Sequence, residues 1–224
     1  MDVPRPAKLR QQSVSFDDPD WVFELKHDGF RALAILEHGK TRFISRTGGS
    51  IHGFTHLAHE FTRAIRAESA ILDGEFAVSH KTGRTLFARL REHRQEARFY
   101  AFDLLWLNGQ DLRALPLLTR KQHLKVLLRR QSSWLIYIDH VMEHGRTLFQ
   151  LACREDLEGI VAKRADHPYP SAEKKPLWIK IKNPNYSQRK ARGEWFEKAK
   201  HRLADPTGRR YLPLRASIIK RGGR

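Results

Sequence analysis

A lysine, a carboxylate and an arginine surround a glycine in the stretch Lys26-His27-Asp28-Gly29-Phe30-Arg31. A lysine amine attacks an electrophile only after it loses its proton, and nearby cations or burial favour that loss. Gly29 permits a tight turn or a close approach of the backbone to a ligand, and the planar donor fork of Arg31 matches a phosphate. The stretch therefore indicates either a nucleophilic lysine beside a phosphate site or a charged turn.

Two further pairs of charged residues have the spacing of one face of a β-strand. In Asp73-Gly74-Glu75 and in Trp178-Ile179-Lys180-Ile181-Lys182 the charged residues are two apart. An extended strand projects residues with this spacing to the same side. The second segment would thus bury its two isoleucines and present two ammonium groups on the opposite face. Each pair alone more often belongs to an ordinary half-exposed strand with a polar face than to a functional site.

These residues must be positioned by a fold that contains many strands and few helices. Short apolar or alternating runs predict strands, and apolar residues at helical spacing predict helices. Because strict strand–helix alternation is absent, the pattern favours an α+β fold with antiparallel sheets flanked by helices. The predicted strands are Trp21–Lys26, Phe30–Leu36, Thr41–Ser45, Ala70–Val78, Phe99–Leu107, Leu135–His140, Gly159–Lys163 and Leu177–Lys182, and the predicted helices are Thr55–Glu68, Thr119–Arg130 and Arg146–Glu155.

Composition and charge narrow the class of protein. The 224 residues carry a formal net charge of +17, which favours binding to a polyanion, most often nucleic acid. No apolar run approaches the roughly 20 residues that span a bilayer, and the N-terminal residues lack the apolar core of a secretion signal. Cys153 is the single cysteine, which excludes an internal disulfide and a multi-cysteine zinc site. We expect a cytoplasmic protein without a membrane partner.

The positive charge is concentrated at the C-terminal end. Residues 184–224 contain 12 Lys and Arg against 3 Asp and Glu, so that +9 of the +17 lies in this segment. The composition predicts a first domain over residues 1–183 and a basic extension over residues 184–224. We expect the extension to contact nucleic acid.

Read in order, the charged segments form a specific pattern. The segments are Lys26 to Arg31, Ser45-Arg46-Thr47-Gly48, Leu72-Asp73-Gly74-Glu75, Phe99 to Leu105 with Asn108-Gly109, Glu158 to Lys163, and Trp178 to Lys182. In this order and at these spacings the chain resembles the nucleotidyltransferase domain of ATP-dependent DNA ligases, and is most similar to the bacterial ligases. The resemblance extends from about Trp21 to Asn183 and implies the ATP-grasp-like nucleotidyltransferase fold of that family.

The resemblance also implies a role for each residue. Lys26 would attack the α-phosphorus of ATP and form a lysyl-AMP intermediate, while Phe102 would stack on adenine. Glu75 and Glu158 would help to hold Mg²⁺ or Mn²⁺, and Glu75 would also contact the nucleotide ribose. The remaining candidates are catalytic or nucleotide-binding: Lys180 and Lys182 at the phosphates, Arg31 and Arg46 at the ribose or a 5′-phosphate, Glu24 in the nucleotide site, and Asp28 beside the nucleophile.

The implied substrate is nicked or broken duplex DNA, and the implied partners include an end-joining or repair protein. The expected state is a monomer in the bacterial cytoplasm, associated with the nucleoid. Ligases of this family carry a C-terminal OB-fold domain of roughly a hundred residues, which residues 184–224 are too short to form. The extension could replace that domain, a partner could supply it, or activity could be partial. An RNA ligase, another lysyl-AMP nucleotidyltransferase and a non-catalytic nucleic-acid-binding relative are the alternatives.

Overall fold

The computed structural model describes residues 2–79, 87–129, 132–170 and 177–189. These contain eleven strands, four α-helices and a short 3₁₀ turn at Arg94–Glu96. The strands are β1 Leu9–Gln12, β2 Asp18–Leu25, β3 Phe30–Glu37, β4 Lys40–Ser45, β5 Ser69–Ala77, β6 Arg98–Leu107, β7 Gln110–Asp111, β8 Leu135–Tyr137, β9 Val141–Glu143, β10 Gly159–Arg164 and β11 Trp178–Lys182. The helices are α1 Thr55–Ala64, α2 Phe87–Glu92, α3 Leu117–Leu127 and α4 Gly145–Arg154.

The strands form two mostly antiparallel sheets. One sheet has the order β1-β11-β10-β2-β9, and the other has the order β4-β3-β5-β6-β7, with β8 also paired to β6. Only β1 with β11 and β8 with β6 run parallel among the described strands. The predicted α+β class with antiparallel sheets is confirmed.

Two hairpins follow directly from turn chemistry. His38-Gly39 joins β3 to β4, and Asn108-Gly109 joins β6 to β7, with positive φ angles at all four residues. A two-residue loop of this conformation matches the twist of the flanking strands, and Asn or Gly adopts it at low cost.

The predicted elements are present, with differences at their ends. Each predicted strand segment contains a strand, but the segment Leu135–His140 is extended only to Tyr137, and the helix predicted over Thr55–Glu68 ends at Ala64. The sequence did not predict β1, β7, β9 or α2. Strand β1 has one apolar residue, Leu9, and is held by backbone pairing with β11, so that its side chains give no alternating signal.

Three apolar layers stack around the sheets. The inner layer, between the sheets, contains Leu33, Ile35, Tyr100 and Trp178. On the outer face of the six-stranded sheet, α1 buries Leu57 and Phe61 in a second layer, and α4 covers the outer face of the five-stranded sheet. Within the described residues, no helix combines the length and apolar character needed to cross a membrane. The basic segment from residue 190 onward lies outside the described residues.

Candidate active site

A cleft of about 1410 Å³ is lined by residues of both sheets. Along β11 the lining residues are Trp178, Lys180 and Lys182, which alternate as side chains on one face of a strand do. The predicted residues that line the cleft are Glu24, Lys26, Arg31, Arg46, Glu75, Phe102, Glu158, Lys180 and Lys182. Six segments that are remote in sequence, from residues 24–31 to residues 180–182, thus meet in one cavity. Asp28 is the one predicted site residue that does not line it.

Lys26 lies immediately after β2, where its backbone N–H donates to the Gly159 carbonyl at 2.9 Å. Its Nζ is 2.8 Å from Oε2 of Glu158, and the lysine side chain is 15% exposed. Lys182 Nζ lies 3.6 Å from the other oxygen of Glu158. A single carboxylate therefore bridges two ammonium groups and holds Lys26 at the cleft wall.

Strand β11 places its charged residues as the sequence predicted. Ile179 and Ile181 are buried in the layer under α4, whereas Lys180 and Lys182 line the cleft. Partial burial, followed by repulsion from Lys182 and Lys26, lowers the pKa of Lys180. The cleft wall at β11 is thus a concentrated positive surface suited to phosphate.

Glu24 lines the cleft but is buried, and its predicted part in nucleotide binding stays a prediction. Its two carboxylate oxygens each lie 2.6 Å from an ammonium nitrogen, of Lys121 and of Lys163. Burial alone would raise the pKa of Glu24, but the two lysines together lower it. For Lys163, burial lowers the pKa to about 8 despite the attraction of Glu24. This cluster positions the end of β2 just before Lys26.

The donor fork of Arg31 is paired with a protein carboxylate in the structure, and its contact with the ribose or a 5′-phosphate stays a prediction. Nε and Nη2 donate to the two oxygens of Asp73 at 3.0 and 2.6 Å, and Nη1 donates to the Ala7 carbonyl at 2.6 Å. The guanidinium also lies 5.4 Å from the ring centre of Phe102 and 5.3 Å from that of Trp178. Arg31 therefore organises the cleft wall from within.

Phe102 reaches the cleft from β6 and is 9% exposed. Its ring meets Trp178 edge-on at 5.9 Å, and Lys163 Nζ lies 4.2 Å from the ring centres of both aromatic residues. An aromatic face held in this way is suited to a flat, apolar ligand group.

Asp28 and Gly29 serve the architecture beneath Lys26. Asp28 is fully buried and accepts a hydrogen bond from the Tyr186 hydroxyl at 3.0 Å, so that it supports the loop and does not face the cleft. A Cβ built on Gly29 would lie 1.9 Å from the Phe76 carbonyl oxygen. The close approach that requires this glycine is thus to β5, whereas the sequence left open an approach to a ligand.

The residues predicted to hold a metal are compatible with a hard cation. Glu75 and Glu158 both line the cleft, although the described part of the chain contains no group of three or more His, Cys, Asp or Glu side chains placed to hold a metal. Magnesium often takes one or two carboxylates and completes its shell with water and substrate phosphates. Two carboxylates beside a lysine-rich wall fit that arrangement.

Several residues that line the cleft were not predicted. His27 lies beside Lys26 and stacks on Tyr100 at 4.3 Å, where burial, followed by the charge of Lys26, lowers its pKa to about 4. Lys163 falls within a quoted segment, and its alternation with Val161 could have predicted a cleft-facing side chain. Arg5 and Lys8 lie in a segment without a recognisable pattern.

Comparison with known proteins shows the family and the fold. A family model described as ATP dependent DNA ligase domain matches residues 7–182. The multifunctional non-homologous end joining protein LigD of Pseudomonas aeruginosa is 33% identical over 172 residues, which is 73% of this chain and 20% of LigD. The SPbeta prophage-derived DNA ligase-like protein LigB of Bacillus subtilis is 26% identical over 209 residues, which is 91% of this chain and 76% of LigB.

A solved structure has the same fold. The structure described as mycobacterial DNA ligase D complexed with ATP and MES superposes with a TM-score of 0.71 at 27% identity, covering 80% of this chain and 60% of that one. The chain spans about a fifth of the length of the Pseudomonas relative.

Proposed function

Because this chain belongs to the family of ATP-dependent DNA ligase domains, we propose that Lys26 forms a lysyl-AMP intermediate and that the protein seals breaks in duplex DNA. The observation that carries the proposal is the placement of Lys26 Nζ at 2.8 Å from Glu158 in the cleft that Lys180 and Lys182 also line. This arrangement supplies a positioned nucleophile and compensating positive charge, which are the main requirements of phosphoryl transfer.

In the first step, a bond forms between Lys26 Nζ and the α-phosphorus of ATP, and the bond from that phosphorus to the pyrophosphate oxygen breaks. The Lys26 ammonium must first lose a proton. In the structure its Nζ is ion-paired with Glu158 at 2.8 Å, and Lys180 and Lys182 line the same cleft. Glu75 and Glu158 would hold Mg²⁺ or Mn²⁺, which when bound would offset phosphate charge. Attack requires the Lys26 amine to leave its ion pair with Glu158.

The other cleft residues would orient the nucleotide. Phe102 offers its ring face to adenine, backed by the buried pair of Glu24 and Lys163. Glu75 is placed to contact the ribose, and Lys180 and Lys182 to neutralise the phosphates. This division places the base at the aromatic end of the cleft and the reacting phosphorus at the lysine-rich end.

Two further transfers would complete sealing. A 5′-phosphate oxygen of the broken strand attacks the phosphorus of the lysyl-AMP, and Lys26 leaves as the amine. The adjacent 3′-hydroxyl then attacks the 5′-phosphorus, loses its proton, and displaces AMP. Arg46 is exposed at the cleft and would contact the 5′-phosphate. The net charge of +17 supports a nucleic-acid substrate. Similarity to the non-homologous end joining protein LigD supports a repair context and a protein partner from that pathway.

Covalent labelling tests the nucleophile. Incubation with α-labelled ATP and Mg²⁺ should label the wild-type protein and should not label Lys26→Ala. Lys40→Ala is the matched control, because Lys40 is an exposed hairpin residue that does not line the cleft. Retention of label in Lys26→Ala, or its absence from the wild type, would refute the proposal.

Sealing assays test the substrate. Nicked duplexes of DNA, RNA and a DNA–RNA hybrid, each with a labelled 5′-phosphate, separate a DNA ligase from an RNA ligase. We expect sealing of the DNA nick to be fastest. Faster sealing of the RNA nick would assign the protein to the RNA-joining alternative.

A further inference from the structure

The N-terminal segment, residues 5–12, forms a strap along one wall of the cleft. Pro6 and Ala7 are buried, and the backbone N–H and carbonyl of Ala7 each form a hydrogen bond with a side chain of the cleft wall. Its N–H donates to the Tyr169 hydroxyl at 2.8 Å, and its carbonyl accepts from Arg31 Nη1 at 2.6 Å. Since Arg31 is itself locked to Asp73, the backbone of the strap is fixed to the same network that supports the nucleotide cleft.

Two cations flank this anchor. Arg5 and Lys8 are exposed and line the cleft, and within the described residues neither side chain forms an ion pair with a carboxylate. An exposed cation can bind an anion, and here its backbone is already fixed by hydrogen bonds. Because less of the segment must become ordered on binding, the entropic cost of binding is lower.

Strand register locates these cations relative to the reacting lysines. Strand β1 runs parallel to β11, with Leu9 beside Trp178 and Gln11 beside Lys180. Lys8 precedes Leu9, so it lies three residue steps from the level of Lys180. At about 3.3 Å per residue this is roughly 10 Å along the strands. The strap cations therefore lie toward the aromatic end of the cleft, away from the lysines assigned to the α-phosphate.

We propose that Arg5 and Lys8 form a separate phosphate-contact site that binds the backbone of the nucleic-acid substrate. The inference rests on the proposed function, since it takes the α-phosphate position from Lys26 and Lys180. The separation from that position argues against the triphosphate of ATP as the ligand. A strand held at the strap would extend the grip on the substrate beyond the reacting ends.

The test compares a variant that lacks two positive charges of the strap with a control that lacks two positive charges of the β3–β4 hairpin. The strap variant is Arg5→Gln/Lys8→Gln. The control is Lys40→Gln/Arg42→Gln on the exposed face of the β3–β4 hairpin, and neither of these two residues lines the cleft. Affinity for a nicked duplex is measured over a range of salt concentrations, and the rate of lysyl-AMP formation and the KM for ATP are measured in parallel.

We expect the strap variant to lose affinity by on the order of tenfold per contact at 0.1 M salt, and its log–log salt slope to fall by roughly 2, because each phosphate contact contributes about 0.9. Lysyl-AMP formation should stay within about twofold of wild type. The charge-preserving variant Arg5→Lys/Lys8→Arg should retain most of the affinity.

Three results separate the possible outcomes. A salt slope equal to that of the hairpin control would overturn the strap site while leaving the lysyl-AMP proposal intact. A raised KM for ATP with unchanged nick affinity would also overturn it, and would assign the cations to the nucleotide. Absence of lysyl-AMP in the wild type, with strap-dependent nick binding, would refute the proposed function but support the phosphate site.

Discussion

The hydrogen bond between Tyr186 and Asp28 gives the sharpest prediction about how the loop of Lys26 is held. The Tyr186 hydroxyl donates to Asp28 Oδ2 at 3.0 Å, where Asp28 is fully buried and Tyr186 is 7% exposed. The same segment is pinned by Asn183, whose N–H donates to the Glu158 carbonyl at 3.0 Å. Residues after β11 thus hold both the loop that contains Lys26 and the one that contains Glu158.

Tyr186→Phe removes one donor from a buried carboxylate and leaves the ring in place. A hydrogen bond to a charged group contributes about 1.5–3 kcal/mol, and the acceptor cannot regain water at a buried position. We therefore expect the free energy of unfolding to fall by about 1.5–3 kcal/mol. Because Asp28 is two residues from Lys26, lysyl-AMP formation should also slow.

Urea denaturation of wild type and variant measures the first effect, and a labelling time course measures the second. Tyr100→Phe is the matched control, since Tyr100 is 6% exposed and its hydroxyl forms no side-chain hydrogen bond within the described ranges. A double-mutant cycle with Asp28→Asn should give a coupling energy of about 1 kcal/mol or more. If Tyr186→Phe were within 0.5 kcal/mol of Tyr100→Phe, the loop would not depend on this contact.

Three other perturbations have outcomes set by the geometry. The pKa of His27 in the folded protein is about 4, below the ordinary 6.5. Between these pH values the unfolded state binds more protons, so the free energy of unfolding falls as the pH drops from 6.5 to 4. His27→Phe should remove roughly 3 kcal/mol or less of this loss, measured by denaturation at pH 7 and pH 4. Gly29→Ala should displace the loop from the Phe76 carbonyl and abolish labelling by α-labelled ATP; normal labelling would contradict the close approach. Arg120→Met should cost about 3–5 kcal/mol because it leaves Asp103 buried without its partner, and adding Asp103→Leu should restore most of the loss in thermal denaturation.

The strands and their faces could be predicted from the sequence because they depend on local alternation. The β11 segment is an example: its two isoleucines are buried and its two lysines line the cleft, as a period of two requires. The Asn-Gly and His-Gly turns likewise have a chemistry that allows few conformations. By contrast, β1 and β9 are short and polar or exposed, so that their pairing depends on a neighbouring strand and not on their own residues.

For the site, the sequence by itself determined which chemistry is available: one lysine before Asp-Gly, carboxylates and lysines at strand spacing, and an aromatic residue on β6. Only the tertiary structure decided which of these groups pair with partners within the protein. In the fold, the Arg31 guanidinium is ion-paired with Asp73, and the buried Asp28 accepts a hydrogen bond from Tyr186. Glu24 is ion-paired with both Lys121 and Lys163. These partners lie between 42 and 158 residues apart in the chain, and such pairing energies depend on distance and burial, which no local pattern encodes.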